Sequence, residues 1–241
     1  MKRFALIGNP VAGSLSPQLF EAAYGGRYPY DLLEGAVFAD SWQRFLDEYD
    51  GINVTAPFKP DAFRAVDSLS EGARLAGAVN LAVKTPQGIA GYNTDVDGVV
   101  AAVRETGLKV SDALIVGCGG AGRAAAVGAL RLGCRVTLSN RTDSRAEALA
   151  DVFGCGWVPV SGIADLSPDL VIYTVPGPMA GLPEDFPDAV ILEANYRTPV
   201  LGGRGRAYVS GLRWLLHQAV AGYGIFTGEV PDSEAMFRIF S

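Results

Sequence analysis

Short apolar segments alternate with longer amphipathic segments along most of the chain, and this alternation is typical of an α/β protein. In the first half, the pattern predicts strands at Phe4–Ile7, Tyr30–Leu33 and Gly51–Val54, helices at Pro17–Tyr24, Ser41–Glu48, Lys59–Ala65 and Asp97–Glu105, and a hairpin of Leu81–Lys84 with Ile89–Gly91. We expect Ser16 to be the N-cap of the first helix, because Pro17 suits the position after a cap.

A second series of elements begins after a mildly polar stretch at residues 106–112. The pattern predicts strands at Ala113–Val116, Arg135–Ser139, Leu170–Thr174 and Val190–Glu193, helices at Ala121–Leu132 and Ser144–Val152, and further helix from Tyr208 onward. Leu170–Thr174 and Val190–Glu193 are short and apolar, as expected of parallel strands that are covered on both faces. Ser144 and Glu147 have the spacing of a capping box.

The composition is that of a globular protein, with 241 residues of which 49% are hydrophobic and 19% are charged. No apolar run reaches 18 residues, and the apolar start Phe4–Ile7 ends too early for a signal peptide. Three cysteines without CxxC spacing suit reduced thiols, so we expect a cytoplasmic protein. The net charge of −6 argues against nucleic acid as the main partner.

The chain has one histidine, His217, which we interpret as structural or solvated. A zinc site or a histidine-based catalytic triad is therefore not expected, and we predict no metal. Proton transfer would have to come from Lys, Asp, Glu, Tyr or Cys side chains.

A glycine-rich turn follows the predicted strand Ala113–Val116 and opens the next predicted helix. Its sequence, Gly117-Cys118-Gly119-Gly120-Ala121-Gly122, fits GxGxxG in the context that dinucleotide binding requires. Close approach of the backbone to a pyrophosphate would use the residues Gly117, Gly119, Gly120, Ala121 and Gly122. The alternative is a tight turn that binds no ligand.

The next strand end discriminates between the two nicotinamide cofactors. NAD sites carry an acidic residue there, for the ribose hydroxyl. This chain has Asn140, Arg141 and Thr142 instead, with Arg145 one turn later. Guanidinium groups suit a 2′-phosphate, so the sequence favours NADP, and the alternative is two solvated surface arginines.

Lys59 lies between two prolines, just after a short apolar strand. A lysine on such a stiff, partly apolar turn can act as a proton-transfer group, although an isolated lysine is more often a surface residue. Two further polar clusters, Ser14–Ser16 and Gly91–Asp95, carry similar chemistry.

Taken together, these motifs resemble those of the shikimate dehydrogenase family nearly from end to end. The resemblance rests on six ordered segments: Gly8–Pro10 with Ser14–Pro17, Asn53–Lys59, Gly77–Asn80, Gly91–Asp95, the Gly117 loop with Asn140–Thr142, and Gln218-Ala219. It implies NADP-dependent, reversible reduction of 3-dehydroshikimate to shikimate in the chorismate pathway of aromatic amino acid biosynthesis.

The resemblance also implies an architecture of two domains with a cleft between them. Residues 1–106 would form a substrate-binding catalytic domain around a mostly parallel sheet, completed by C-terminal helices at 208–241, and residues 107–207 a Rossmann domain. A monomer or a homodimer is expected, with a small-molecule substrate and with neither nucleic acid nor membrane as partner.

The resemblance assigns roles to individual residues. Lys59 and Asp95 would be the catalytic pair, and Gly211 would meet the nicotinamide end of the cofactor. The substrate would be held by Ser14, Ser16, Asn53, Thr55, Asn80, Tyr196 and Gln218. Taken singly, several of these residues also suit plain structural roles, such as helix caps for Ser16 and Asp95.

The chain departs from the family's pattern at a few places: Gly13, Tyr173–Pro176, Glu193–Tyr196 and Trp214. Two alternatives stay open at this point. One is a quinate/shikimate dehydrogenase that uses NAD, and the other is a non-catalytic NADP-sensing protein on the same scaffold.

Overall fold

The chain divides into two compact units in a computed structural model, which describes residues 1–240. The first unit comprises residues 1–94 and the chain from Gln218 onward, and the second comprises residues 95–217. The changes of unit therefore come at 94/95 and 217/218, whereas the sequence suggested 106/107 and 207/208. Both units contain a mostly parallel sheet with helices, so the α/β prediction is confirmed.

The first sheet has six strands, in chain order β1 (Phe4–Gly8), β2 (Tyr30–Glu34), β3 (Gly51–Val54), β4 (Ser68–Leu69), β5 (Leu81–Thr85) and β6 (Gly88–Tyr92). Across the sheet their order is β2-β1-β3-β5-β6-β4. The pairs of β1 with β2 and β3 are parallel, and β5 and β6 form the predicted antiparallel hairpin. The short strand β4 was not predicted.

The helices of this unit follow the strands as α1 (Ser16–Tyr24), α2 (Phe38–Glu48), α3 (Lys59–Ala65) and α4 (Glu71–Ala76). The prediction that Ser16 is the N-cap of α1 is wrong. The helix begins at Ser16 itself, so the N-cap is Leu15, which has no polar side-chain atom, and the N–H of Ser16 donates to Oγ of Ser14. In α4, which was not predicted, Ser70 does cap the helix by accepting the N–H of Ala73.

Aromatic side chains join the C-terminal part of the chain to the first sheet. Phe226 lies in the long helix α8 (Gly211–Thr227), which precedes α9 (Ser233–Arg238), and stacks on Phe4 with ring centroids 4.8 Å apart. Tyr223 meets Phe20 edge to face at 4.7 Å, and its carbonyl accepts the hydroxyl of Tyr24 at 2.8 Å. These contacts hold the part of α8 that begins with Gln218 against the N-terminal part of the first unit.

The second sheet is parallel throughout, with the strands β7 (Asp112–Val116), β8 (Arg135–Ser139), β9 (Gly156–Trp157), β10 (Leu170–Tyr173), β11 (Phe186–Glu193) and β12 (Gly205–Ser210). Its order, β12-β11-β10-β7-β8-β9, is that of a doubly wound Rossmann sheet. The helices of this unit are α5 (Thr94–Arg104), whose first residue still belongs to the first unit, α6 (Gly120–Arg131), α7 (Asp143–Phe153) and a 3₁₀ helix at Val160–Asp165.

Two predictions for this unit are wrong. Ser144 is not a capping residue, since α7 begins at Asp143 after Thr142. Tyr208 is not helical, because residues 208–210 complete β12 and α8 begins at Gly211. β12 is an edge strand in which polar and small residues are mixed with the apolar ones. Its sequence therefore lacks the short apolar run that predicts a buried strand. No helix within residues 1–240 is both long enough and apolar enough to cross a membrane.

Candidate active site

The predicted substrate residues of the first unit lie along one edge of its sheet, where strands end or begin. Because β1 and β3 are parallel and β5 is antiparallel to β3, the ends of β1 and β3 lie beside the start of β5. Leu81 of β5 also pairs with Tyr92, which brings the end of β6 to this edge. The segments that leave or enter the edge carry Ser14, Thr55 and Asn80.

The side chain of Asn80 is buried at this edge, with 4% exposure, and bonds Thr94 through both of its polar atoms. Its Oδ1 accepts the N–H of Thr94 at 2.8 Å, and its Nδ2 donates to Oγ1 of Thr94 at 3.1 Å. Oγ1 of Thr94 in turn donates to Oε1 of Gln218 at 3.2 Å. The structure thus brings two predicted substrate residues, Asn80 and Gln218, together through a fully buried threonine.

Asn53 is oriented by a tyrosine on the same sheet. The hydroxyl of Tyr30 donates to Oδ1 of Asn53 at 2.8 Å, and Nδ2 of Asn53 donates to the carbonyl of Asn80 at 3.4 Å. Burial raises the pKa of Tyr30 well above its usual value, so the hydroxyl stays a donor at neutral pH. The next predicted residue, Thr55, is half-buried, and its N–H donates to the carbonyl of Ile7 at 2.9 Å.

Ser14 and Ser16 form a pair at the loop before α1. Oγ of Ser14 donates to Oγ of Ser16 at 3.0 Å, and the carbonyl of Ser16 accepts the hydroxyl of Tyr223 at 3.0 Å. Earlier in the same loop, the N–H of Val11 donates to Oε2 of Glu34 at 2.9 Å. The pair therefore has a fixed main chain on both sides.

Lys59 and Asp95 stand at the starts of two helices. Lys59 is the first residue of α3, is half-buried, and accepts the N–H of Val79 on its carbonyl at 3.2 Å. Its main chain is thereby tied to the segment that leads into Asn80. Asp95 is half-buried in the first turn of α5, and its carbonyl accepts the indole N–H of Trp214 at 2.8 Å. Lys59 belongs to the first unit and Asp95 to the second.

The glycine loop of the second unit takes the conformation that its sequence suggests. Gly117 has φ +103° and donates its N–H to the carbonyl of Ser139 at 2.8 Å. A Cβ on Gly122 would fall on the carbonyl oxygen of Gly117, whereas a Cβ on Gly119 or Gly120 would meet no protein atom within 4 Å. The loop is therefore closed on its protein side and open on the other.

The strand end beyond the glycine loop carries the predicted phosphate residues. Oδ1 of Asn140 accepts the N–H of Cys118 at 3.3 Å, and its Nδ2 donates to the carbonyl of Thr142 at 3.1 Å. Arg141 and Arg145 are exposed and, within residues 1–240, form no ion pair. Burial raises the pKa of the Cys118 thiol to about 11, so this loop cysteine is neutral.

Tyr196 and Gly211 lie where β11 and β12 end. Tyr196 is half-buried in a loop that the neighbouring Asn195 fastens, since Nδ2 of Asn195 donates to the carbonyls of Pro176 at 2.8 Å and Thr198 at 3.0 Å. Gly211 starts α8 against the main chain of β11, and a Cβ there would come within 2.6 Å of the Glu193 carbonyl oxygen. The structure thus gives Gly211 a packing role beside the predicted cofactor role.

Two departures from the family pattern have structural explanations. The carboxylate of Glu193, which is fully buried, accepts the N–H groups of Val200 at 2.7 Å and Leu201 at 3.0 Å. Oγ1 of Thr174 donates to the carbonyls of Val116 at 3.0 Å and Gly117 at 3.3 Å, so it braces the glycine loop.

His217 lies beside the carboxylate that follows α5. Its Nε2 lies 3.1 Å from Oε2 of Glu105. Burial lowers the pKa of His217, and the charge of Arg213 lowers it further, so the ring is neutral at pH 7. Among the residues that the structure describes, no group of three or more His, Cys, Asp or Glu side chains is placed to hold a metal.

Sequence reasoning missed the residues that orient the predicted site: Tyr30, Thr94, Thr174, Trp214 and Tyr223. Thr94 lies inside the Gly91–Asp95 cluster, so its motif was a usable signal. The two tyrosines look like ordinary core residues in the sequence, and Trp214 was noted only as a departure from the family's pattern, because their hydroxyl and indole partners are remote along the chain.

Comparison with known proteins gives consistent matches. The sequence profile of the shikimate dehydrogenase substrate binding domain matches residues 6–82. A shikimate dehydrogenase (NADP(+)) of Acidiphilium cryptum is 37% identical over 97% of this chain and 93% of its own.

Solved structures agree. Shikimate 5-dehydrogenase from Thermus thermophilus, in complex with NADP(H) and shikimate, superposes with a TM-score of 0.87 at 30% identity, covering 99% of this chain and 98% of the other. Quinate dehydrogenase from Corynebacterium glutamicum, in complex with NAD, superposes with a TM-score of 0.86 at 27% identity, covering 99% and 98%.

The glycine loop leads to a stability prediction. Gly122→Ala places a methyl group on the Gly117 carbonyl, which is main chain and cannot swing away, so the free energy of unfolding should fall by about 2 kcal/mol or more. Gly119→Ala is the matched control, because the space there is open and φ is −79°; its stability should change by less than about 0.5 kcal/mol. Denaturant unfolding of both variants checks this, and equal effects would contradict the close approach.

Proposed function

Because the chain belongs to the shikimate dehydrogenase family, we propose that it catalyses the NADP-dependent, reversible reduction of 3-dehydroshikimate to shikimate. The observation that supports this most is the hydrogen-bonded series Asn53, Asn80, Thr94 and Gln218 at one edge of the first sheet, where Lys59 also stands. These amides are already oriented by protein partners, as a site for a substrate with several hydroxyl groups requires.

We assign the substrate-binding role to the first unit for the most part. Ser14 and Ser16 would hold the carboxylate with their hydroxyl groups, and Asn53, Thr55, Asn80 and Gln218 would bind the ring hydroxyls. Tyr196 would add a hydroxyl from the second unit. Serine hydroxyls can donate to a carboxylate without a fixed positive charge nearby.

The second unit fits a dinucleotide. The glycine loop is open to the outside at Gly119 and Gly120 and is followed by the N-terminus of the twelve-residue helix α6. The pyrophosphate of the dinucleotide would contact the loop at Gly117, Gly119, Gly120, Ala121 and Gly122. The 2′-phosphate would contact Asn140, Arg141, Thr142 and Arg145, and the nicotinamide end would contact Gly211. When bound, NADP supplies the nicotinamide ring that accepts or donates the hydride.

The chain's own residues would manage the proton. The oxygen at the reacting carbon loses a proton when shikimate is oxidised and gains one when 3-dehydroshikimate is reduced. Lys59 would exchange this proton, acting as a base in one direction and as an acid in the other. Asp95 would orient the hydroxyl group and hold Lys59 in place.

We further propose that the protein acts in the cytoplasm on a small-molecule substrate, without nucleic acid or membrane partners. The support is the pattern of its cysteines and its acidic charge. The prediction that it is a monomer or a homodimer can be checked by sedimentation analysis.

The direct test is an assay of nicotinamide reduction with shikimate and with quinate, each in the presence of NADP and of NAD. Shikimate oxidation should prefer NADP over NAD by about tenfold or more in kcat/KM, since one charge-assisted phosphate contact is of this size. Shikimate should also exceed quinate by about tenfold or more, because quinate brings an extra hydroxyl. A preference for quinate with NAD would favour the alternative function, and binding without turnover would favour an NADP sensor.

Lys59→Ala should lower kcat for shikimate oxidation by roughly 10²–10⁴, the usual range for an acid–base group, and should change substrate affinity much less. Lys84→Ala is the matched control, since Lys84 is an exposed lysine of the same unit that donates to the carbonyl of Leu46. Steady-state kinetics of both folded variants measure this. A kcat of Lys59→Ala within about threefold of the wild type would show that Lys59 takes no part in the reaction.

Arg141→Ala should raise the KM for NADP by about tenfold and leave that for NAD nearly unchanged, because only NADP carries the 2′-phosphate. Arg135→Ala serves as control, since Arg135 lies at the start of β8 and pairs with Asp112 at 2.7 Å. Equal losses with the two cofactors would rule out the 2′-phosphate role of Arg141.

A further inference from the structure

The indole of Trp214 holds the main chain at Asp95. Its Nε1 donates to the carbonyl oxygen of Asp95 at 2.8 Å, a normal length for such a bond. Trp214 is only 5% exposed, so its N–H needs an acceptor inside the protein. The start of α5 provides that acceptor.

This bond is additional to those of the helix. A carbonyl in the first turn of an α-helix normally accepts the N–H four residues later, and its oxygen has a second lone pair. The indole bond is therefore not needed to complete α5. What it adds is a link from α8 to the first turn of α5.

The opposite end of α5 is linked to the same part of α8. Glu105, which follows the last residue of α5, is paired with Arg213 and lies 3.1 Å from Nε2 of His217. The residues next to Trp214 thus restrain the far end of the helix. A helix that is held at both ends cannot slide along its axis without breaking one of these contacts.

The position of the main chain matters because an aspartate side chain is short. Its carboxylate sits two rotatable bonds from the backbone, so a shift of the backbone at Asp95 moves the carboxylate with it. A misplacement of about 1 Å at a reacting group can cost on the order of 10²-fold in rate.

We propose that Trp214 is a positioning residue that fixes the main chain at Asp95 for the reaction. The inference rests on the proposed function and on the role of Asp95 within it.

The test is a double-mutant cycle. Trp214→Phe removes the N–H donor and keeps an aromatic ring, and it should lower kcat for shikimate oxidation by about tenfold. In an Asp95→Asn background, where the group to be positioned has already lost its charge, the same substitution should change kcat by less than about twofold. The matched control is Trp42→Phe, which alters another buried tryptophan and should change kcat by less than about twofold.

A second measurement does not depend on the folding of the Trp214 variant. In protein labelled with ¹⁵N-tryptophan, the three indole signals can be assigned with Trp42→Phe and Trp157→Phe. The Trp214 signal should exchange slowly with D₂O and should shift when shikimate saturates the wild-type protein, since its partner carbonyl belongs to the residue that orients the substrate.

The outcomes separate the inference from the proposed function. A wild-type chain that does not oxidise shikimate refutes the proposed function, and the inference falls with it. With an active wild type, the inference alone is overturned by an unchanged kcat in Trp214→Phe, by an equal loss in both backgrounds, or by a Trp214 signal that shikimate does not shift.

Discussion

The amide of Asn80 is the group on which the arrangement of the first unit's site depends. Its side chain holds Thr94 through both polar atoms, while its N–H donates to the carbonyl of Tyr92 at 2.9 Å and its carbonyl accepts from Val54 at 2.8 Å. One buried residue therefore joins β3, β6 and the first residue of α5. Leaving either end of the side-chain amide without a partner would cost about 1–3 kcal/mol, so the first residue of α5 is held firmly at these strand ends.

The two units differ in how their proposed ligand sites are formed. In the first, side chains such as those of Asn53 and Asn80 are present at the site and are oriented by hydrogen bonds to the protein. In the second, the approach of a ligand depends on glycines, which have no side chain. Gly122 lets the helix start against the main chain of Gly117, and Gly119 leaves open space beside the loop. Orientation serves a substrate with hydroxyl groups, and close backbone approach serves a pyrophosphate.

Much of this could be predicted from the sequence, because strands and motifs are local patterns. The bounds of β3, α3 and β8 were predicted as observed, and the glycine turn was predicted to follow a strand and open a helix. The predicted caps at Ser16 and Ser144 were wrong because each helix begins one residue earlier than its sequence pattern suggests, and helix ends are the least certain part of such a pattern. Thr94 was missed as an orienting residue because its partner Gln218 is 124 positions away.

If the first unit binds shikimate with amides that Thr94 orients, then removing the Thr94 hydroxyl should weaken binding. Calorimetric titration of shikimate into Thr94→Val and Thr94→Ser, without cofactor, measures this, because valine keeps the shape and removes the hydroxyl that serine retains. We expect affinity lower by about tenfold or more for valine, the size of a lost buried hydrogen bond, and within about threefold of the wild type for serine. Equal affinity for the valine and wild-type proteins would contradict the orienting role of Thr94.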